Sequence, residues 1–251
     1  MAVCGLILGI VGAFCLPIGG LGIWLATAEV RERATSEENL EEIGSAMLSY
    51  QTNHGSLPAA AIQKGDQPLL SWRVAILPYL GETALYSQFH LDEPWDSPAN
   101  KALLPQMPEV YVARAKSETR PGYTFYRVFH KPTENPPNAR DPWGFNNQQT
   151  VGPMFVGNTG IPSWNIPDGP GQTLLVVEAA QSVPWTKPDE LAYPVVGSVE
   201  SQLGGAFKNG YHVLLADCCT VRFFTKGQIA DSTLRGAITR NGSEIIMLPY
   251  W

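Results

Sequence analysis

Asp92, Glu93 and Asp96 fall close together in the turn-rich segment His90–Asn100. Hard oxygen donors gathered in a turn are the chemistry that holds calcium, so this loop is the candidate cation site. Its spacing matches no EF-hand and Pro94 interrupts it. The competing expectation is that Asp96 and Ser97 cap local turns while Trp95 plugs into the core. Glu178 closes an apolar run and is expected to be buried and paired with an arginine such as Arg73 or Arg222, as a structural pair rather than a catalytic acid. The four histidines (54, 90, 130 and 212) are scattered without metal-ligand spacing. The sequence has no GxSxG, HExxH, CxxC or phosphate-cradling glycine loop. No catalytic residue and no cofactor other than calcium is therefore nominated, and the chain is expected not to be an enzyme. Trp143 and Trp164 stand in polar loops and form the aromatic pair suited to a sugar- or protein-binding platform.

The element that must position everything else is the beginning of the chain. From Ala2 to Ala28 there is no charged side chain. At ~1.5 Å per residue in a helix, such a run crosses a ~30 Å hydrocarbon layer with some tilt. A cleaved secretory signal has a basic n-region and a shorter apolar core, so the run reads as a retained single-pass anchor in the bilayer. Pro17 and the glycines at 5, 9, 12, 19 and 20 predict a kink near Pro17. Beyond the anchor, Leu40, Ile43, Met47 and Tyr50 recur at helical steps on one face, and His54-Gly55 supplies a stop. Thr35-Ser36 followed by Glu38 predicts a helix restart near residue 35. The organisation is thus an anchor over 1–28, a helical extension over 29–55 and a globular domain over 56–251.

The 251 residues carry a formal net charge of -6, which excludes a basic field for nucleic acid. Six glutamates between Glu29 and Glu42 stand against Arg31 and Arg33 and form a solvated collar beside the anchor. Those two interleaved arginines bias orientation only slightly. With charged residues at only 16% and 21 prolines and 24 glycines, the domain is expected to be loop-rich with short strands. Strands are predicted near Val110–Ala113, over Tyr123–His130, Thr173–Ala180, Tyr211–Ala216 and Val221–Phe224, and a short helix over Ser232–Thr239. Ser71–Leu80 suits either a helix or a buried strand. Cys218 and Cys219 are adjacent, which disfavours a bridge between them. The sum is α+β: a long N-terminal transmembrane helix packed on a mainly antiparallel sheet, with no βαβ rhythm.

The segments SWRVAILPYL, LYSQFHLDEPWDSPANKALLPQMPEVY, DGPGQTLLVVEA, VPWTKPDEL and LLADCCTVRF resemble, in the same order, those of a large bacterial family. It is a domain-of-unknown-function family abundant in planctomycetes, with a prepilin-like N-terminus, also labelled a family-ten solute-binding domain. The preceding NLEEIGSAMLSYQTNHGSLPAAAI is similar to its N-terminal region. The resemblance implies a pilin- or pseudopilin-like body displayed outside the cytoplasmic membrane. Its role would be scaffold, assembly or surface interaction, through self-association or envelope protein partners. The family's second label implies the alternative, an extracytoplasmic module for a small solute or glycan. Three departures stand out. Ala2–Ala28 lacks the basic leader and helix glutamate of a prepilin segment. Tyr111–Lys116 lacks the Cys-Pro common in the family. Finally, Asp217-Cys218-Cys219-Thr220 replaces the frequent Asp-Gly-Ser turn.

Overall fold

The computed structural model describes residues 18–113, 120–132, 152–242 and 248, with side chains from residue 28 onward. Helix α1 spans Ile18–His54 as one uninterrupted rod of 37 residues. The predicted restart at residue 35 does not occur. The Thr35 hydroxyl donates to the Arg31 carbonyl one turn back, as threonine does inside a helix, and Ser36 spends its hydroxyl on tertiary partners instead of a cap. Ser36, Leu40, Ile43, Gly44, Met47 and Gln51 form the buried face, whereas none of residues 28–35 is buried. The helix ends as the sequence predicts. Gly55 takes φ +79° and donates its N–H to the Gln51 carbonyl at 2.7 Å. Among the described residues no helix is long and apolar enough to cross a membrane. Most of the expected span, residues 2–17, lies outside them, and only its Ile18–Ala28 end is seen as helix.

After α1 comes a hairpin of β1 (Ala61–Lys64) and β2 (Gln67–Ser71), turned at Gly65-Asp66. Neither strand is among those predicted from the sequence. Short helices follow: α2 (Trp72–Ala75), α3 (Thr83–Tyr86) and α4 (Pro98–Lys101). Glu109–Tyr111 is a 3-10 turn and not the predicted strand, since Pro108 opens it and the Tyr111 side chain points into the core. The remaining strands are β3 (Tyr123–Arg127), β4 (Phe129–Lys131), β5 (Phe155–Val156), β6 (Thr159–Gly160), β7 (Leu174–Pro184), β8 (Leu191–Ala192), β9 (Gly210–Leu215) and β10 (Val221–Thr225). Helix α5 (Asp231–Ile238) follows.

The main sheet is antiparallel in the order β10-β9-β7-β3. A smaller sheet, β6-β5-β4-β8, joins β4 to β5 and to β8 in parallel. Strands β7 and β9 are apolar on both faces because both faces of the main sheet are covered. On one face Val176, Leu214 and Ala216 pack with Leu40, Ile43 and Met47 of α1. On the other, Val177, Val213 and Leu215 pack with Leu234, Ala237 and Ile238 of α5. Alternation along each strand thus sorts side chains between two cores. The α+β class and the helix-on-antiparallel-sheet arrangement agree with the sequence.

α1 approaches the sheet closely at one point. A Cβ at Gly44 would collide with the carbonyl oxygen of Cys218, in the turn between β9 and β10. Cys218 is itself at φ +61°, the left-handed conformation that usually selects glycine. Asp217 braces the turn. Its Oδ1 accepts from the Cys219 and Thr220 N–H groups, and its Oδ2 accepts from the Thr220 hydroxyl at 2.6 Å.

Candidate functional site

Alternation on β7 and β9 sends Glu178 and His212 to the α1 face, where apolar neighbours flank them on the strands. There they meet Ser36 of α1 and Tyr126 of β3; these four side chains are buried. Ser36 Oγ donates to Glu178 Oε1 at 2.5 Å and lies 2.6 Å from the Tyr126 hydroxyl. A serine has one hydroxyl proton, so Tyr126 must donate to Ser36, and a relay runs Tyr126 to Ser36 to Glu178. Glu178 Oε2 accepts from the His212 backbone N–H at 2.6 Å, and His212 Nδ1 lies 3.1 Å from the same oxygen. Burial, with Glu178 adding to it, pushes the Tyr126 phenol far above its ordinary value, which keeps it a donor. Phe207 and Phe223 stand edge-on to the His212 ring, and the Arg33 guanidinium lies 4.0 Å from the centroid of Phe223. The cluster has serine, histidine and a carboxylate, yet it offers substrate no access. Its hydroxyls and carboxylate are partnered within it, so what it does physically is fasten α1 to the sheet.

A second polar centre lies at the other side of β3. Arg73 Nη1 pairs with Glu190 Oε1 at 2.9 Å and also donates to Ser71 Oγ, while Arg73 Nε donates to the Tyr126 carbonyl at 3.0 Å. Glu190 Oε2 accepts from the Val128 N–H at 2.9 Å. Burial, opposed by Arg73 and the Val128 N–H, raises the Glu190 carboxyl, and burial lowers the Arg73 guanidinium despite Glu190. Arg127 reinforces the centre by pairing with Asp189 at 3.0 Å.

Glu190 also lines two clefts. One, of about 340 Å³, is bounded by the β1–β2 hairpin, by His130 and Pro132, by Gly157-Asn158 and by Pro188. The other, of about 300 Å³, is bounded by Arg127, Ala180, Gln181, Leu191 and Ser201. The first is within the size range of small-molecule sites.

The sequence-predicted site residues fare differently. Asp92 and Asp96 are exposed, and Glu93 takes His90 Nδ1 at 3.0 Å. Among the described residues no group of three or more histidine, cysteine or acidic side chains is placed to hold a metal. The loop is organised by the buried Asn100 instead. Its Oδ1 accepts from the His90 N–H, and its Nδ2 faces the carbonyls of His90, Glu93 and Pro94. Ser97 caps α4 as expected, accepting from the Asn100 N–H at 3.2 Å. Trp95 packs, half-buried, on the main core. Trp164 is 70% exposed and lines neither cleft; Trp143 lies outside the described residues. Glu178 is buried as expected, but with partners the sequence did not nominate. Arg73 goes to Glu190, and Arg222 donates to the Leu248 carbonyl. Ser36 is read from the sequence only as part of a helix cap; its place one turn before Leu40 on the periodic face is the signal that could have found it.

No curated protein and no solved structure matches the chain. The sequence model of one family, described as "Protein of unknown function (DUF1559)" and labelled SBP_bac_10, matches residues 28–236, which run from the charged part of α1 into α5. That match covers most of the 251 residues, and the chain belongs to the DUF1559 family.

Proposed function

We propose that this protein is a membrane-anchored, pilin-like domain with a scaffold, assembly or surface-interaction role and no catalysis. Residues 2–28 seat in the cytoplasmic membrane, and the body is displayed outside the cytoplasm. The observation that carries the reading is the asymmetry of α1. It is described as helix from Ile18; none of residues 28–35 is buried, whereas Ser36 opens the buried face. Eighteen helical residues extend about 27 Å at ~1.5 Å each. The C-terminal half of α1 is bound to the sheet through Ser36, Leu40, Ile43, Gly44 and Met47, and the earlier half is the part assigned to the membrane. Its Ile18–Ala28 part has no charge. The exposed Glu37, Glu38, Glu41 and Glu42 suit a wet collar above a bilayer surface.

The test is protease access to the C-terminal domain in intact cells and in spheroplasts. Digestion in spheroplasts, with an N-terminal fragment retained in the membrane, supports the reading. Full protection in spheroplasts contradicts it.

A second reading has its own observation. The cleft of about 340 Å³ beside the β1–β2 hairpin has the size of a small-solute site, which supports an extracytoplasmic binding module carried on the same anchor.

A further inference from the structure

The side chains of the cleft beside the β1–β2 hairpin define the chemistry of what fits it. Gln63, Asp66, His130, Asn158 and Glu190 supply its polar lining, and among the described residues neither lysine nor arginine is part of it. Each of these five has an acceptor atom. His130 Nε2 lies 3.1 Å from the Gly157 carbonyl, which only accepts, so Nε2 carries a proton and Nδ1 of the neutral ring is an acceptor. Glu190 is already answered from behind by Arg73 and by the Val128 N–H. Asp66 is different. It stands exposed in the hairpin turn, and its carboxylate makes no ion pair or hydrogen bond with the described residues. Among the described residues no side chain pairs with this negative charge. Ala60, Ala61, Pro68, Pro132 and Pro188 supply the aliphatic part of the wall.

We propose that this cleft binds a short aliphatic primary amine in its ammonium form, which rests on the small-solute reading above. An ammonium has three N–H donors and no acceptor, and each polar residue of the lining offers an acceptor to it. Its charge pairs with Asp66, and its alkyl chain lies against the proline and alanine walls. An anion would meet Asp66 with no lining cation to offset it. A sugar would find acceptors but, among the described residues, no aromatic ring other than His130 on which to stack.

The experiment titrates the full-length chain, in detergent, with n-butylamine, 1,4-diaminobutane, glucose and butyrate, following binding by calorimetry and ligand-observed NMR. The expected result is saturable binding of the amines and not of glucose or butyrate. The variant Asp66→Asn is expected to weaken the amines about tenfold. Glu38→Gln, on the exposed side of α1, is expected to leave them unchanged. Asp66 lies in an exposed turn, and an unaltered melting curve checks that its variant folds. Glucose or butyrate binding without the amines overturns the amine assignment and leaves a solute-binding cleft standing. No binding of any probe overturns both. Amine binding that Asp66→Asn and Glu38→Gln affect equally is attraction to an acidic surface and also overturns the assignment.

Discussion

The Ser36 hydroxyl on α1 reaches Glu178 Oε1 on β7 across 2.5 Å, joining residues 142 apart in the chain. Tyr126 and His212 complete the contact from β3 and β9, so one buried cluster ties the helix to three strands. Removing one partner strands the others. Ser36→Ala is expected to destabilise the domain by about 1–3 kcal/mol, because the Tyr126 hydroxyl and Glu178 Oε1 each lose a buried partner. Glu37→Gln, the exposed neighbour, should stay within about 0.5 kcal/mol. Urea midpoints of the two variants check this, and equal midpoints would deny the cluster its fastening role.

Gly44 is a second point of attachment. Gly44→Ala improves helix propensity by about 1 kcal/mol at an open site, but here the added methyl meets backbone at the Cys218 carbonyl. Since backbone cannot rotate away, net destabilisation of about 1–3 kcal/mol is expected, as for overpacking elsewhere. A thermal melt reads the sign directly, and a gain in stability would mean that the turn yields.

The Arg73–Glu190 pair is almost fully enclosed. Glu190→Gln leaves a guanidinium buried without its counter-charge and is expected to cost about 3–5 kcal/mol, whereas Arg73→Met with Glu190→Leu should cost far less. The pH dependence has a definite sign. Burial places the folded Glu190 carboxyl above its ordinary value, against the pull of Arg73. The folded state therefore holds this proton more tightly than the unfolded chain. The group's contribution is full below the ordinary carboxylate value and declines as pH rises through the raised one. Stability of the wild type minus that of the double variant, measured by denaturant melts across the acid range, should fall with rising pH.

Cys218 and Cys219 are adjacent but should behave as opposites. Cys218 is buried, and burial, with Cys219 and Asp217 adding to it, pushes its thiol up to about 12. Cys219 is exposed. Brief alkylation of the folded protein near pH 8, followed by peptide mapping, should label Cys219 and spare Cys218, since the thiolate is the reactive form. Unfolding should expose both.

The parts legible in the sequence are those whose signals are local. The apolar run at Thr173–Ala180 is β7, and the pair around Asp217 is β9 and β10. Leu40, Ile43 and Met47 face the core as their period requires, and Asp231–Ile238 forms α5 almost where Ser232–Thr239 was predicted. What the sequence could not supply depends on distant partners. Tyr123–His130 reads as one strand but divides at Val128 between two sheets, and the parallel pairing of β4 with β5 and β8 has no local mark. Glu178 was legible as a buried carboxylate, but choosing Ser36 and His212 over an arginine requires knowing which residues the sheet brings opposite it. The acidic loop holds a similar case. Its acids are conspicuous, while the residue that shapes it, Asn100, differs from any surface asparagine only by being buried.

The central claim is that lipid solvates the leading segment of α1 while the sheet-bearing body stands clear of it. Flotation of the purified full-length chain with liposomes, after detergent removal, tests this most directly. The account predicts that the protein floats with the vesicles and that added protease releases a fragment beginning near the glutamate collar. A chain that stays at the bottom of the gradient as a detergent-free monomer would contradict it.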